Sequence, residues 1–126
     1  MSNIIVADDN FALANVVRFH LGRAGHEVTV VKNGQEVLNK LRDGQFDLVV
    51  TDQQMPLRTG LEVCEEIRDN MPNCVGIPII LLTAKRLEMD VEALQQQYGI
   101  SKVFPKPFSP AELVEVITEL LAAEVT

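Results

Sequence analysis

Residues 3–9 read NIIVADD, a short apolar run that ends in two aspartates. The run is too short for a helix and is rich in β-branched residues. It is apolar on both faces, so it predicts a strand buried in the centre of a sheet. Similar runs follow along the chain, and they predict further strands at residues 28–31, 48–51, 77–82 and 103–104.

Between these runs, apolar residues recur at the spacing of a helix. In the first such segment, Leu13, Val17, Leu21 and Ala24 share one face, and Gly25 follows as a stop signal. The same reasoning predicts helices over residues 11–24, 35–41, 61–68, 87–98 and 111–121.

Strand and helix therefore alternate five times, which is typical of βαβ units around a parallel sheet. The second and fifth runs have polar neighbours, and a proline follows the fifth, so they suit the edges of the sheet. We predict a flavodoxin-like (βα)5 doubly wound α/β sandwich with strand order 2-1-3-4-5. A single domain should cover residues 1–126, with its core between about residues 3 and 122.

Composition narrows the function classes. Of 126 residues, 47% are hydrophobic and 23% charged, as in ordinary globular domains. The net charge of −7 argues against direct nucleic-acid binding, since phosphate contacts need clusters of Lys and Arg. No apolar run approaches the roughly 20 residues of a membrane span, and the N-terminus lacks the pattern of a secretory signal. We therefore expect a cytoplasmic protein that does not contact a membrane, with Cys64 and Cys74 as reduced thiols.

Polar side chains follow the predicted strands where each strand ends. Asp8 and Asp9 follow the first, Asp52 the third, Thr83 the fourth and Lys106 the fifth. Ligands bind at the carboxyl ends of strands in such sheets. Three carboxylates there repel one another, and a hard cation such as Mg²⁺ would relieve this. A metal, a hydroxyl and an ammonium around one aspartate are what phosphoryl transfer to that aspartate needs.

Each of these residues alone has a simpler explanation. An Asp8, Asp9 or Asn10 side chain could cap the first helix, and Thr83 could cap another. Asp52 could open an Asx-turn, and Lys106 could be an ordinary surface lysine. Their occurrence together, each at the end of a different strand, favours the site.

Four separated segments resemble the response-regulator receiver family. They are IIVADDN at residues 4–10, DLVVTDQQMP at 47–56 with Gly60, IILLTA at 79–84 and KPF at 106–108. The resemblance implies that Asp52 accepts a phosphoryl group. It also implies that Asp9, Asp52 and the backbone carbonyl of Gln54 ligate Mg²⁺ (with Mn²⁺ as an alternative ion), and that Asp8 acts through a metal-bound water.

The same resemblance implies that Thr83 and Lys106 hold phosphoryl oxygens, and that Lys106 pairs with Asp52 when no phosphate is present. The Lys106–Pro107 bond should be cis. The domain would catalyse only its own phosphorylation and dephosphorylation. Its partners would be a sensor histidine kinase or a histidine phosphotransfer protein, and a downstream effector protein.

The first helix and the loop after Lys106 form the docking surface in this family. Here that surface would include Phe11, Asn15, Phe19 and Pro107. The alternative for the two aromatic residues is that they pack against the last helix.

The sequence departs from the family at several positions. Val103 stands where receivers often carry a Tyr or Phe that turns inward on activation, and Phe104 should face the other side of the sheet. Gln54 and Lys85 occupy the two positions that tune the lifetime of the phosphoryl group in the family.

Three other interpretations remain. A phosphohydrolase of the haloacid-dehalogenase type also uses Asp, Thr or Ser, Lys and Mg²⁺, but its nucleophile lies on the first strand and its paired acids come late. A flavin or dinucleotide binder would need a phosphate-binding loop after the first strand, where Asp8 and Asp9 stand. The chain could also be the receiver of a longer regulator.

Overall fold

The computed structural model describes residues 2–74, 76–84 and 90–125. Its five strands are β1 (Asn3–Ala7), β2 (Glu27–Val31), β3 (Leu48–Asp52), β4 (Ile79–Thr83) and β5 (Lys102–Pro105). Its five α-helices are α1 (Phe11–Arg23), α2 (Gly34–Asp43), α3 (Gly60–Asn70), α4 (Val91–Tyr98) and α5 (Pro110–Val125), and a 3₁₀ turn covers Pro72–Cys74. Lys85 and the predicted start of the fourth helix at Leu87 lie outside the described residues.

The strands form one parallel sheet in the order β2-β1-β3-β4-β5, which confirms the predicted flavodoxin-like topology. The second and fifth strands lie at the edges, as their polar flanks predicted. The fourth strand starts at Ile79, two residues later than expected, because Pro78 has no N–H to donate to the ladder.

Two apolar layers sandwich the sheet. Side chains alternate along each strand, so that Ile5 and Val49 face α2 and α3, whereas Ile4 and Val50 face α1 and α5. The central strands β3 and β4 are buried at every position. Burying one such Val or Ile contributes about 1.5–3 kcal/mol, so these layers are the main source of stability.

The helix starts are capped by side chains that the sequence supplies locally. Asn10 Oδ1 accepts the Leu13 N–H, which settles the cap of α1 in favour of the asparagine over the two aspartates before it. Asp90 Oδ1 accepts the Ala93 N–H and caps α4 at Val91. Because Asn10 caps α1, neither Asp8 nor Asp9 is needed as the helix cap, and both carboxylates stay at the carboxyl end of β1.

Both cysteines are free thiols, in keeping with the prediction. Burial raises the pKa of the Cys64 thiol to about 12, so it is not a reactive thiolate at neutral pH. Within the described part of the chain, none of the helices has the length and apolar character needed to span a bilayer.

Candidate functional site

The carboxyl ends of the strands bring the predicted acidic residues together. Asp8 and Asp9 follow β1 directly, and Asp52 is the last residue of the adjacent strand β3. Each of the three contributes a carboxylate oxygen to a cluster in which these atoms lie within 4.8 Å of one another. Asp8 and Asp52 are buried, whereas Asp9 is exposed to solvent.

Lys106 directly follows the edge strand β5 and reaches this cluster past the end of β4. Its Nζ lies 3.1 Å from Asp52 Oδ2 and 3.2 Å from Asp8 Oδ2. Its backbone N–H donates to the carbonyl of Thr83 at 2.9 Å, which ties the loop after β5 to the end of β4. The pairing with Asp52 was expected, but the second contact with Asp8 was not. The Lys106–Pro107 peptide bond is cis, as the resemblance implied.

The electrostatics of Asp52 reflect opposing effects. Burial raises the pKa of its carboxyl, and the negative charge of Asp8 raises it further. The Lys106 ammonium, 3.1 Å from the carboxylate, and the Gln54 backbone N–H both lower this pKa without reversing the shift. For Lys106, burial lowers the pKa, but its bonds and charge interactions with Asp52 and Asp8 outweigh burial, so the pKa lies above its ordinary value.

The donor set suits a hard divalent cation. Carboxylate oxygens are the ligands that Mg²⁺ prefers, and Mg²⁺ keeps several waters when few protein oxygens bind it. Asp8 already accepts two hydrogen bonds, from the Asn10 N–H at Oδ1 and from Lys106 at Oδ2. Exposed Asp9, in contrast, faces solvent from which a hydrated ion would come. These residues therefore fit a partly hydrated Mg²⁺ ion.

Thr83 ends β4 and is fully buried, one strand away from Asp52 in the sheet. On the neighbouring strand, Val103 packs with the side of the core that contains α2 and α3, and Phe104 packs on the opposite side. This confirms that the phenylalanine does not take the place of the missing aromatic residue. Phe104 instead lies against Phe108, with ring centroids 6.2 Å apart.

The two phenylalanines of α1 lie on its outer surface. Phe11 is 68% exposed and Phe19 is 59% exposed, so the alternative that they pack against the last helix is wrong. The helix is rotated so that Ala14, Val17 and Leu21 face the core, while Asn15 stays on the exposed side. Pro107 is also exposed.

One contact near the site was not anticipated from the sequence. The side-chain oxygen of Gln53, the residue after Asp52, accepts the N–H of Leu61 at 2.8 Å. Its only signal in the sequence is a polar residue at the end of a buried strand, which does not specify a partner eight positions further along.

Comparison with known proteins identifies the family. A family model described as the response regulator receiver domain matches residues 4–118. The chain belongs to this receiver domain family. Receiver domains are signalling domains of two-component systems. Membership decides against the phosphohydrolase and flavin-binding alternatives.

Relatives and solved structures agree with this family. The alkaline phosphatase synthesis transcriptional regulatory protein PhoP of Bacillus subtilis is 34% identical over 110 residues, which cover 87% of this chain and 44% of PhoP. This chain therefore spans less than half the length of that curated relative.

Among solved receiver structures, the Francisella response regulator 1452 receiver domain has a TM-score of 0.85 and 26% identity, with all of both chains covered. The response regulator TrrA of Thermotoga maritima, solved in complex with Mg²⁺ and BeF, is 32% identical with a TM-score of 0.81, over 95% of this receiver domain and 99% of TrrA. The receiver domain of the sensor histidine kinase PA1611 of Pseudomonas aeruginosa, solved with magnesium in its active-site cleft, is 29% identical with a TM-score of 0.84, over 96% and 98%.

Proposed function

We propose that this receiver domain accepts a phosphoryl group on Asp52 from a sensor histidine kinase or a histidine phosphotransfer protein. The observation that carries the proposal is that the Asp52 carboxylate lies within 4.8 Å of an oxygen of the exposed Asp9 and 3.1 Å from the Lys106 ammonium. The Mg²⁺ reported for TrrA and the PA1611 receiver domain supports the same assignment.

The reaction is an in-line displacement at phosphorus. An Asp52 oxygen attacks, a P–O bond forms as the P–N bond of the donor phosphohistidine breaks, and the electron pair of that bond leaves on the imidazole nitrogen. Asp9, Asp52 and the Gln54 carbonyl would hold Mg²⁺ directly, and Asp8 would hold it through a water. The bound ion supplies positive charge that offsets the charge on the phosphoryl oxygens.

Lys106 and Thr83 hold the phosphoryl group after transfer. The Lys106 ammonium moves from the Asp52 carboxylate to a phosphoryl oxygen, since its flexible stem allows this change of partner. The Thr83 hydroxyl donates to another oxygen. Hydrolysis of the acyl phosphate returns Asp52 to its free form, so the domain turns over its own phosphate and no other substrate.

The outer face of α1 docks the phosphoryl donor. Phe11 and Phe19 are large apolar side chains that are more than half exposed, and Asn15 and Pro107 are exposed as well. The Arg23 guanidinium lies 5.7 Å from the Phe19 ring centroid, which adds a positive charge to this surface on an otherwise acidic chain. Exposed aromatic residues of this kind are typical of interaction sites.

Phosphorylation by a small donor tests the acceptor. The protein is incubated with phosphoramidate and Mg²⁺, and its intact mass is measured. We expect addition of one phosphoryl group to the wild type and none to Asp52→Asn. Modification of Asp52→Asn, or an unmodified wild type, would refute the assignment.

A protein donor tests the docking surface separately. Phe19→Ser should slow transfer from a phosphorylated histidine kinase of the same organism but leave the rate with phosphoramidate unchanged. Ala93→Ser, which alters an exposed residue of α4 outside this surface, is the control. Equal slowing with both donors would show that the substitution acts on the acceptor rather than on docking.

A further inference from the structure

Gln53 is held at three atoms. Its backbone N–H donates to the Leu82 carbonyl on β4 at 2.9 Å, and its carbonyl accepts the Gly60 N–H at 3.1 Å. Its side-chain Oε1 accepts the Leu61 N–H at 2.8 Å. The residue directly after the phospho-acceptor therefore joins β3, β4 and the first turn of α3.

Gln53 accepts two of the four N–H groups at the start of α3 that have no partner inside the helix. A helix leaves its first four N–H groups without partners inside the helix. Thr59 Oγ1 accepts the N–H of Glu62 at 3.2 Å, and Glu62 Oε1 accepts the N–H of Thr59 at 2.9 Å, which is local capping. The N–H groups of Gly60 and Leu61 are bound by Gln53, which lies on the other side of the intervening loop.

This turn lies against the backbone of the acceptor itself. A Cβ at Gly60 would be 2.6 Å from the Asp52 carbonyl oxygen and 3.2 Å from the Gln53 Cα. The peptide that follows Gln53 carries the Gln54 N–H, which lowers the pKa of the Asp52 carboxyl. Gln53 thus lies between the anchored helix start and the amide that stabilises the charged form of the acceptor.

We propose that Gln53 is a positioning residue for the phospho-acceptor: its side-chain amide fixes the start of α3, and through its own backbone it directs the Gln54 N–H to the Asp52 carboxylate. The chemical consequence rests on the proposed function, because it concerns the reactivity of Asp52. The positional effect on the Gln54 amide can be measured without phosphorylation.

The test compares Gln53→Met with Thr59→Ala. Methionine keeps the length and the backbone bonds but has no oxygen to accept the Leu61 N–H, whereas Thr59→Ala removes the local cap and leaves Gln53 intact. Amide hydrogen exchange is measured by NMR without Mg²⁺, and the rate of phosphorylation by phosphoramidate is measured with Mg²⁺.

In Gln53→Met, exchange at Leu61 and Gln54 should accelerate by about 2- to 10-fold, the effect of losing one hydrogen bond of ordinary net strength. The phosphorylation rate should fall. In Thr59→Ala, exchange should accelerate at Glu62, while Gln54 and the phosphorylation rate keep their wild-type values. Wild-type exchange at Gln54 in Gln53→Met, or equal acceleration of Gln54 in both variants, would overturn the proposal.

Gln53→Glu is the rescue variant, since it keeps an acceptor oxygen at the same reach. Protection of Leu61 and Gln54 should return to the wild-type level, and a Gln54 amide that stays as labile as in Gln53→Met would show that the hydrogen bond is not the cause. If Gln53→Met does not fold, Gln53→Ala, which also lacks the acceptor oxygen, takes its place in both comparisons with the same expected and contrary outcomes. A wild type that phosphoramidate never phosphorylates would refute the proposed function. The amide-exchange rates are measured without phosphorylation, so they would still show whether Gln53 positions the Gln54 amide.

Discussion

The Lys106 ammonium lies 3.1 Å from the Asp52 carboxylate, although their strands β5 and β3 are separated by β4. Lys106 is also 3.2 Å from Asp8, so a single positive charge serves two buried carboxylates. With Asp9 included, the cluster keeps an excess of negative charge, which a bound cation would offset.

Lys106→Met should lower the free energy of unfolding at pH 7 by about 1–3 kcal/mol, because it leaves charged buried groups without their donor. Urea denaturation without Mg²⁺ measures this. Adding Mg²⁺ should narrow the difference from the wild type, because the ion replaces part of the lost positive charge. A variant as stable as the wild type would show that the ion pair contributes nothing.

The pH dependence follows from the raised pKa of Asp52. Because the folded state holds this proton more tightly than the unfolded state, the contribution of Asp52 to stability falls as the pH rises from its ordinary value of 3.8 through its folded pKa. Asp52→Asn should therefore be more stable than the wild type at pH 7 without metal, and the gap should shrink as the pH falls through this window. Denaturation curves between pH 3.5 and 7, chosen to span about the titration range of carboxyl groups, check this.

Mg²⁺ should stabilise the folded protein. About 10 mM Mg²⁺ acting on a site with a Kd near ~1 mM raises the free energy of unfolding by about 1–1.5 kcal/mol. Asp9→Ala should abolish this response, and without metal it should be more stable than the wild type, because it removes one of three clustered negative charges. Thermal melts with and without Mg²⁺ measure both effects, and a wild type indifferent to Mg²⁺ would contradict the metal site.

The topology and the acidic cluster were predictable for the same reason. Central parallel strands need apolar residues on both faces, and the runs around Ile5, Val49 and Leu81 supply them. Because the strands are parallel, their carboxyl ends lie together, and so do the polar residues that follow them. Side-chain partners were not predictable in this way. The second contact of Lys106 and the bond from Gln53 to Leu61 depend on how loops close in three dimensions, which spacing along the chain does not encode.

The orientation of α1 shows a related limit. Periodicity placed Leu13 on the core stripe with Val17 and Leu21, but a rotation of the helix brings Ala14 to the sheet and leaves Leu13 half-buried. Two neighbouring stripes of this helix are apolar, since Phe11 and Phe19 form the second one. Packing against the sheet and α5 decides between them, and that depends on the volumes of the facing side chains.

Two glycines should respond oppositely to alanine. A Cβ at Gly60 would lie 2.6 Å from both the Asp52 carbonyl oxygen and Leu81 Cδ1, so Gly60→Ala should destabilise the fold by about 1–3 kcal/mol through overpacking. Gly22 lies in α1 with nothing within 4 Å of its Cβ position, so Gly22→Ala should stabilise it by about 0.5–1 kcal/mol. Urea denaturation measures the free energy of unfolding of both variants. A Gly60→Ala variant as stable as the wild type would show that the backbone around Gly60 can move to make room for the methyl group.

Arg68 should clamp the carboxyl end of α4. Its guanidinium donates to the carbonyls of Tyr98, Gly99 and Ile77 at 2.9, 2.8 and 3.0 Å. Arg68→Met should cost about 2–3 kcal/mol, because it removes a charged donor from several carbonyls. Arg42→Met breaks a 3.8 Å ion pair between the exposed Arg42 and the half-buried Glu66, and it should change the free energy of unfolding by less than about 1 kcal/mol. Equal effects of the two substitutions would contradict the clamp.

The position of Val103 bears on how phosphorylation would change the structure. Val103 is buried in the core layer formed with α2 and α3, and it has no ring that could swing toward the acceptor. The Thr83 carbonyl instead accepts the Lys106 N–H, so the two residues proposed to hold the phosphoryl group are already joined through the backbone. A ligand shifts an equilibrium only through contacts that differ between the two states, and the Thr83 hydroxyl and the Lys106 ammonium would supply them.

Beryllofluoride, which stands in for the phosphoryl group, should therefore change amide exchange mainly in residues 83–92 and at the start of α5, with a smaller change in β5. Thr83→Ala should abolish this response, because the hydroxyl couples the phosphoryl group to the residues that follow β4. Asp52 should still react with phosphoramidate, at a reduced rate. Thr83→Ser keeps the hydroxyl and should retain the response. Exchange measured with and without beryllofluoride for the three proteins decides the matter. An unaltered response in Thr83→Ala would show that the hydroxyl does not couple the phosphoryl group to the structural change. A response centred on Val103 would show that β5 carries the change instead.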